Sequence, residues 1–134
     1  MADAVTSTTI VDSERLAVLQ FTNTSDGTGE SAVTKVDVSA LNPSSNGQTC
    51  TGVHLAKICY STFGMSIKLF WDADTDTICW DLNSNYADSE DFSEFGGLVN
   101  TAGTGKTGDI KLTTADHSSG DSYVIVLTLI KSYG

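Results

Sequence analysis

Tyr123-Val-Ile-Val-Leu-Thr-Leu-Ile130 is a run of eight residues that are all β-branched, aliphatic or aromatic. In a strand successive side chains point to opposite faces. Tyr123, Ile125, Leu127 and Leu129 therefore share one face, and Val124, Val126, Thr128 and Ile130 share the other. Neither face is suited to bare water, so this strand needs cover on two sides, part of it expected from a neighbouring protein.

Working outward, Arg15 to Asn23 has the same character, with Leu16 and Val18 on one face and Ala17, Leu19 and Phe21 on the other. Other segments alternate more cleanly. Met65, Ile67, Leu69 and Trp71 lie opposite Ser66 and Lys68, Ile110 and Leu112 flank Lys111, and Ile78, Trp80 and Leu82 alternate with Cys79 and Asp81. Period two recurs and helical spacing is hard to find. Strands are expected at 8–11, 15–23, 32–38, 53–61, 66–71, 77–81, 97–99, 109–114 and 122–131. Turn-formers such as Ser25-Asp-Gly-Thr-Gly29, Asn42-Pro-Ser-Ser-Asn-Gly47 and Gly103-Thr-Gly-Lys-Thr-Gly108 separate them. This pattern predicts an all-β chain, a single-domain antiparallel β-sandwich of jelly-roll or immunoglobulin-like topology spanning 1–134. Residues 1–12 are expected to form a polar N-terminal arm that orders on binding.

At 134 residues the chain can bury a core without disulfide or metal staples. Seventeen acidic residues face seven basic ones, for a formal charge of −10. The basic residues are scattered, which argues against nucleic acid, a partner that needs a concentrated cationic surface. No apolar run is long enough to span a membrane. Residues 1–13 lack the basic and apolar regions of a secretory signal, so synthesis in the cytosol is expected. Cys50, Cys59 and Cys79 have no C-x-x-C spacing and read as small hydrophobes with free thiols.

No motif builds a convincing catalytic, cofactor or metal site. Asp72-Ala-Asp-Thr-Asp76 opens like a calcium loop but lacks the glycine and glutamate that an EF-hand needs at Thr77 and Asn83, so it reads as a turn. Gly103-Thr-Gly-Lys-Thr107 lacks the first glycine of a phosphate loop, at Asn100, and leads into a strand. Asp88-Ser-Glu-Asp-Phe-Ser-Glu94 holds four carboxylates around Phe92 with nothing to set two of them across a cleft. It reads as a charged surface segment, the alternative being a glycan face with Tyr86, Phe92 and Phe95 stacking on sugar rings. His54 and His117 have no metal-ligand spacing, G-x-S-x-G is absent, and the sequon at Asn23 reads as a turn.

Several stretches carry a family resemblance: Ala4-Val-Thr-Ser-Thr-Thr-Ile-Val-Asp-Ser13, Phe21-Thr-Asn-Thr-Ser-Asp-Gly-Thr-Gly-Glu30, Val33-Thr-Lys-Val-Asp-Val38, Tyr60-Ser-Thr-Phe-Gly-Met65, Asp91-Phe-Ser-Glu-Phe-Gly-Gly97, Gly105-Lys-Thr-Gly-Asp109 and Gly120-Asp-Ser-Tyr-Val-Ile125. Through these the chain resembles small virion structural proteins of tailed bacteriophages, especially those of marine bacteria and cyanobacteria. The resemblance implies a capsid decoration, or cement, protein on the outside of the virion, assembled in the host cytoplasm. Its partner would be the major capsid protein, and it would self-associate as a trimer or dimer, with no enzyme activity and no cofactor. Leu19, Phe21, Leu127, Leu129 and Tyr133 are the residues expected at the interface. A tail, neck or fibre module binding host glycan is the alternative placement, and a small β-sandwich hydrolase is the third reading.

Overall fold

The computed structural model describes residues 4–133. These residues form nine strands: β1 Ala4–Asp12, β2 Leu16–Thr24, β3 Val33–Val36, β4 Cys50–Phe63, β5 Ser66–Trp71, β6 Thr77–Leu82, β7 Ala87–Asp91, β8 Ile110–Ala115 and β9 Ser122–Tyr133. Short 3-10 turns occupy Val38–Ala40 and Ser93–Phe95.

The winding is a nest of antiparallel pairs. The β5–β6 hairpin lies at the centre, and around it β4 pairs with β7, β3 with β8 and β2 with β9. Rolling this long hairpin brings β9 onto β4 and β8 onto β5. The result is a five-stranded sheet in the order β1-β2-β9-β4-β7 against a four-stranded sheet in the order β3-β8-β5-β6. Of the two topologies expected, this is the jelly roll. β1 is an added strand on the outside of β2, so the segment 4–12 expected as a polar arm is an edge strand.

The core fills the space between the sheets. Met65 just before β5, Ile67, Leu69 and Trp71 from β5, and Ile110 and Leu112 from β8 meet Phe21, Leu55, Ile58, Ile125, Leu127 and Leu129 from the larger sheet. Alternation predicts the inward face correctly on β5 and β8; on β2 and β9, where both faces are apolar, it separates the two faces without choosing between them. It fails on β6. A bulge at Leu69/Phe70 sets Leu69 opposite Trp80 and Phe70 opposite Ile78, which turns Cys79 into the core and leaves Ile78 52% exposed. One extra residue inverts the faces that follow it. Burial pushes the Cys79 thiol up to about 12, consistent with a packing role.

Two further expectations change. The acidic segment 88–94, where no strand is expected, carries one: β7 runs through its first half, and Phe92 turns under the sheet edge, where it meets Trp80 edge-on at 5.0 Å. The strand expected at 97–99 is reduced to one bridge, Leu98 exchanging main-chain hydrogen bonds with Leu55 at 3.0 and 2.8 Å.

One buried polar cluster ties the sandwich together. Glu30 Oε2 pairs with Lys35 Nζ at 2.6 Å, while its Oε1 accepts from Asn23 Nδ2 at 2.8 Å and Tyr123 Oη at 2.6 Å. The loop before β3 is thereby fastened to β2 and β9. Lys131 does the same at the other end of β9, its ammonium donating to Asp12 Oδ1, Ser13 O and Asn42 O at 2.7, 2.8 and 2.7 Å. Each ammonium hydrogen has an acceptor, which is what allows a cation to be buried there.

Candidate docking face

The strand register decides what the molecule shows to its surroundings. Leu19 and Phe21 on β2 and Leu127 and Leu129 on β9 point between the sheets and are buried. They are core residues, which corrects their assignment to an interface. Each sits one position from a residue on the opposite face, and the inner face is the one the second sheet covers. Tyr133 is half-buried and committed locally: its hydroxyl donates to Glu14 O and its ring lies 5.8 Å from Lys131 Nζ.

The outer face of the five-stranded sheet is carried by the alternate set. Leu16, Val18, Gln20 and Thr22 of β2 stand beside Val124, Val126, Thr128 and Ile130 of β9, followed by His54, Lys57, Cys59 and Ser61 of β4. Among the described residues no layer covers it. Leu16 and Val124 are 37% and 40% exposed, with Val18, Val126 and Ile130 half-buried between their neighbours. From β2 through β4 this face carries no carboxylate; the first is Asp91, on the edge strand β7. In a chain with seventeen acidic residues, such a face is a distinct surface.

Its lower end is cationic. A groove of about 400 Å³ lies against Thr51, His54, Asn100, Lys106 and Ser132, and an adjoining depression of about 270 Å³ adds Arg15 and Ile130. Among the described residues no carboxylate lines either one. Basic residues that look scattered along the chain are thus partly gathered, because the hairpin turn at Arg15, the start of β4 and the loop before β8 meet at one end of the roll. The φ of Gly108 is +89°, and a Cβ there would come within 2.3 Å of Thr51 O, so only glycine lets this loop pass so close to β4. His54 Nδ1 lies 3.2 Å from Gly96 O, which fixes its ring at the groove wall.

The remaining sequence candidates are placed elsewhere. Asp72 binds Lys111 Nζ at 2.7 Å and accepts from Thr107 Oγ1 at 2.7 Å, and these hydrogen bonds hold its carboxyl below the usual range. Asp76 turns to Lys111 at 3.5 Å and to Ala73 N at 3.1 Å, so Asp72 and Asp76 share one lysine, while Asp74 lies against Gly105. Among the described residues no three His, Cys, Asp or Glu side chains gather as a metal site. Gly103–Thr107 is a turn hydrogen-bonded to 72–74. Of the three rings proposed as a sugar platform, Phe92 is buried with exposed Phe95 beside it at 6.2 Å between centroids, while exposed Tyr86 lies before the start of β7, next to Tyr60 at 6.3 Å. Asn23 is buried and hydrogen-bonded to Glu30, so the sequon is inaccessible in the folded chain. His117 lies under Gly29, with Thr114 Oγ1 at 3.3 Å from its Nδ1. Among the described residues no helix is long and apolar enough to cross a membrane.

Compared with known proteins, the chain matches no family model, no curated protein and no solved structure.

Proposed function

We propose that the chain is a structural protein of a tailed-phage virion, a capsid decoration protein that docks on the major capsid protein through the outer face of its five-stranded sheet. The observation that carries this reading is that face, partly apolar and free of carboxylates from β2 through β4 on a body of charge −10. An acidic exterior opposes random association, while the carboxylate-free face favours one orientation of approach to a surface. The resemblance to small virion proteins supports the same role, and the jelly-roll winding is compatible with it, although a fold alone does not define a function. The work would be mechanical: bridging capsomers against internal pressure, without turnover or cofactor. Burial of Phe92 and the placement of Tyr86 at the other end of β7 weaken the glycan-binding alternative, which copy number distinguishes directly.

The test combines counting with mutation. Quantitative mass spectrometry of purified virions is expected to find hundreds of copies in fixed ratio to the capsid subunit; a handful to a few dozen would place the protein on neck, tail or fibre. Val126→Asp is expected to fold and lose particle binding at least about tenfold. Leu127→Asp, one residue away, is expected not to fold, since it buries a carboxylate in the core. Binding by Val126→Asp at the wild-type level would exclude the face.

A further inference from the structure

The geometry points to β1 as a second interaction surface, on which another copy of this chain pairs strand to strand about a two-fold axis at Ser7. This inference rests on β1 alone and holds whatever the outer sheet face binds.

β1 ends the larger sheet, and every residue from Ala4 to Val11 is exposed. Its open edge can be read from its neighbours. Ser13 N donates to Leu16 O at 2.8 Å, and on the opposite side of β2 Ser25 N donates to Asp121 O and Lys131 N to Arg15 O, both at 2.7 Å. The even-numbered residues of β2 therefore turn their main chain toward β1, and the odd-numbered ones toward β9. Gln20 and Thr22 face Thr8 and Thr6. The N–H and C=O groups of Val5, Ser7 and Thr9 then point away from the sheet.

An edge like this is usually guarded by charge, brevity or a bulge. The other three edges are: β7 carries Asp88, Glu90 and Asp91, β3 is four residues long, and β6 holds a bulge and Asp81. β1 has a register shift only near its end, between Thr9 and Val11, and no charge from Ala4 through Val11. Alanine, serine, three threonines and three β-branched aliphatics make up those eight positions, a composition of high strand preference.

The occupant follows from charge. Two bodies of −10 repel, so they approach most easily along their uncharged edge, whereas a basic strand would favour acidic β7. An antiparallel strand is also its own complement: with Ser7 on the axis, Val5 faces Thr9 of the other copy, and about six main-chain hydrogen bonds form. On the outer side Thr6 meets Thr8, a favourable cross-strand pair. The larger sheets would join into one sheet whose outer faces, free of carboxylates from β2 through β4, are continuous.

Sedimentation velocity of the full chain from about 10 µM to 1 mM tests this at 0.05 and 0.5 M NaCl. A monomer–dimer equilibrium is expected that tightens about fivefold at the higher salt, because screening removes repulsion between like charges. Ser7→Pro removes only an N–H at the open edge, and Ser7→Lys adds charge there; both are expected to weaken the dimer at least tenfold with unchanged melting temperature. Facing residues of a hydrogen-bonded pair stand about 5.5 Å apart, within disulfide reach, so Ser7→Cys is expected to cross-link under an oxidant that leaves the wild type monomeric on a denaturing gel. A wild type that stays monomeric at 1 mM in 0.5 M salt, or folded Ser7→Pro and Ser7→Lys variants that dimerise like the wild type, would overturn the inference.

Discussion

Replacing Glu30 with Ala should be the most costly single polar change in this molecule. Glu30 and Lys35 are among its most enclosed ion partners, with side chains only 7% and 5% exposed, and the same carboxylate accepts from Asn23 and Tyr123. Removing one partner of a buried pair leaves the other charged and unpaired, which costs about 3–5 kcal/mol. Solvent screening offers little relief at this exposure. Unfolding entropy near 2.1 cal/mol/K per residue gives a 134-residue domain about 0.28 kcal/mol/K, so a loss of about 4 kcal/mol lowers the melting temperature by about 14 °C. Urea titrations and calorimetry on wild type, Glu30→Ala, Lys35→Met and the double variant form a thermodynamic cycle. A coupling of about 2–3 kcal/mol is expected, with the double variant more stable than the sum of the single losses implies. A single-variant loss below about 1 kcal/mol together with negligible coupling would refute the reasoning.

At pH 7 Lys131→Met is expected to cost about 3 kcal/mol, because it strips a donor from Asp12, Ser13 and Asn42 together. Burial alone would lower the Lys131 pKa, but hydrogen bonds with Asp12 and Tyr133 outweigh it and leave it raised; that contribution is present below about pH 10.4 and lost as pH rises through the folded-state value. Tyr60, raised by burial and then by Asp88, acts in the same window, so chemical denaturation should show stability falling above about pH 10 and less steeply in Lys131→Met. Asp72 shifts the other way: held low by hydrogen bonds from Lys111 and Thr107, it contributes above about pH 3.8 and is lost as pH falls, so Asp72→Asn should flatten the acid limb of the same titration. Gly108→Ala should cost about 3 kcal/mol through left-handed strain and collision with Thr51 O, measured by thermal melting. A thiol reagent at pH 8 should modify half-buried Cys59 while sparing Cys50 and Cys79, and bound capsid should protect Cys59.

Much of the fold is legible in the residues because most strands have a single period-two phase. Met65–Trp71 and Ile110–Leu112 each leave one assignment of faces, and the glycine- and aspartate-rich turns bound them. β7 is obscured because Asp88, Glu90 and Asp91 give an edge strand no apolar phase to read. β1 is obscured for the opposite reason, since threonine and serine on an exposed edge resemble an unstructured arm. The bulge in β6 has no signature beyond Cys79 itself. For the docking face, the doubly apolar character of β2 and β9 is plain, but alternation cannot say which phase a second sheet will cover. That choice is made by the roll, and it places Leu127 inside and Val126 outside.

The position of β9 has a consequence for how the molecule is made. It lies between β2 and β4, so those strands have no contact along their lengths until residues 122–133 arrive. A nascent chain that has already delivered eight strands still holds two long unpaired edges, one of them nearly one hundred residues upstream of its eventual partner. Closure of the larger sheet therefore waits for β9, and the loop entropy of that closure assigns the domain to the slow, millisecond-to-second end of folding rates. Copies that bury these edges in one another before β9 docks would be lost to aggregation, which makes chaperones and expression temperature strong determinants of yield.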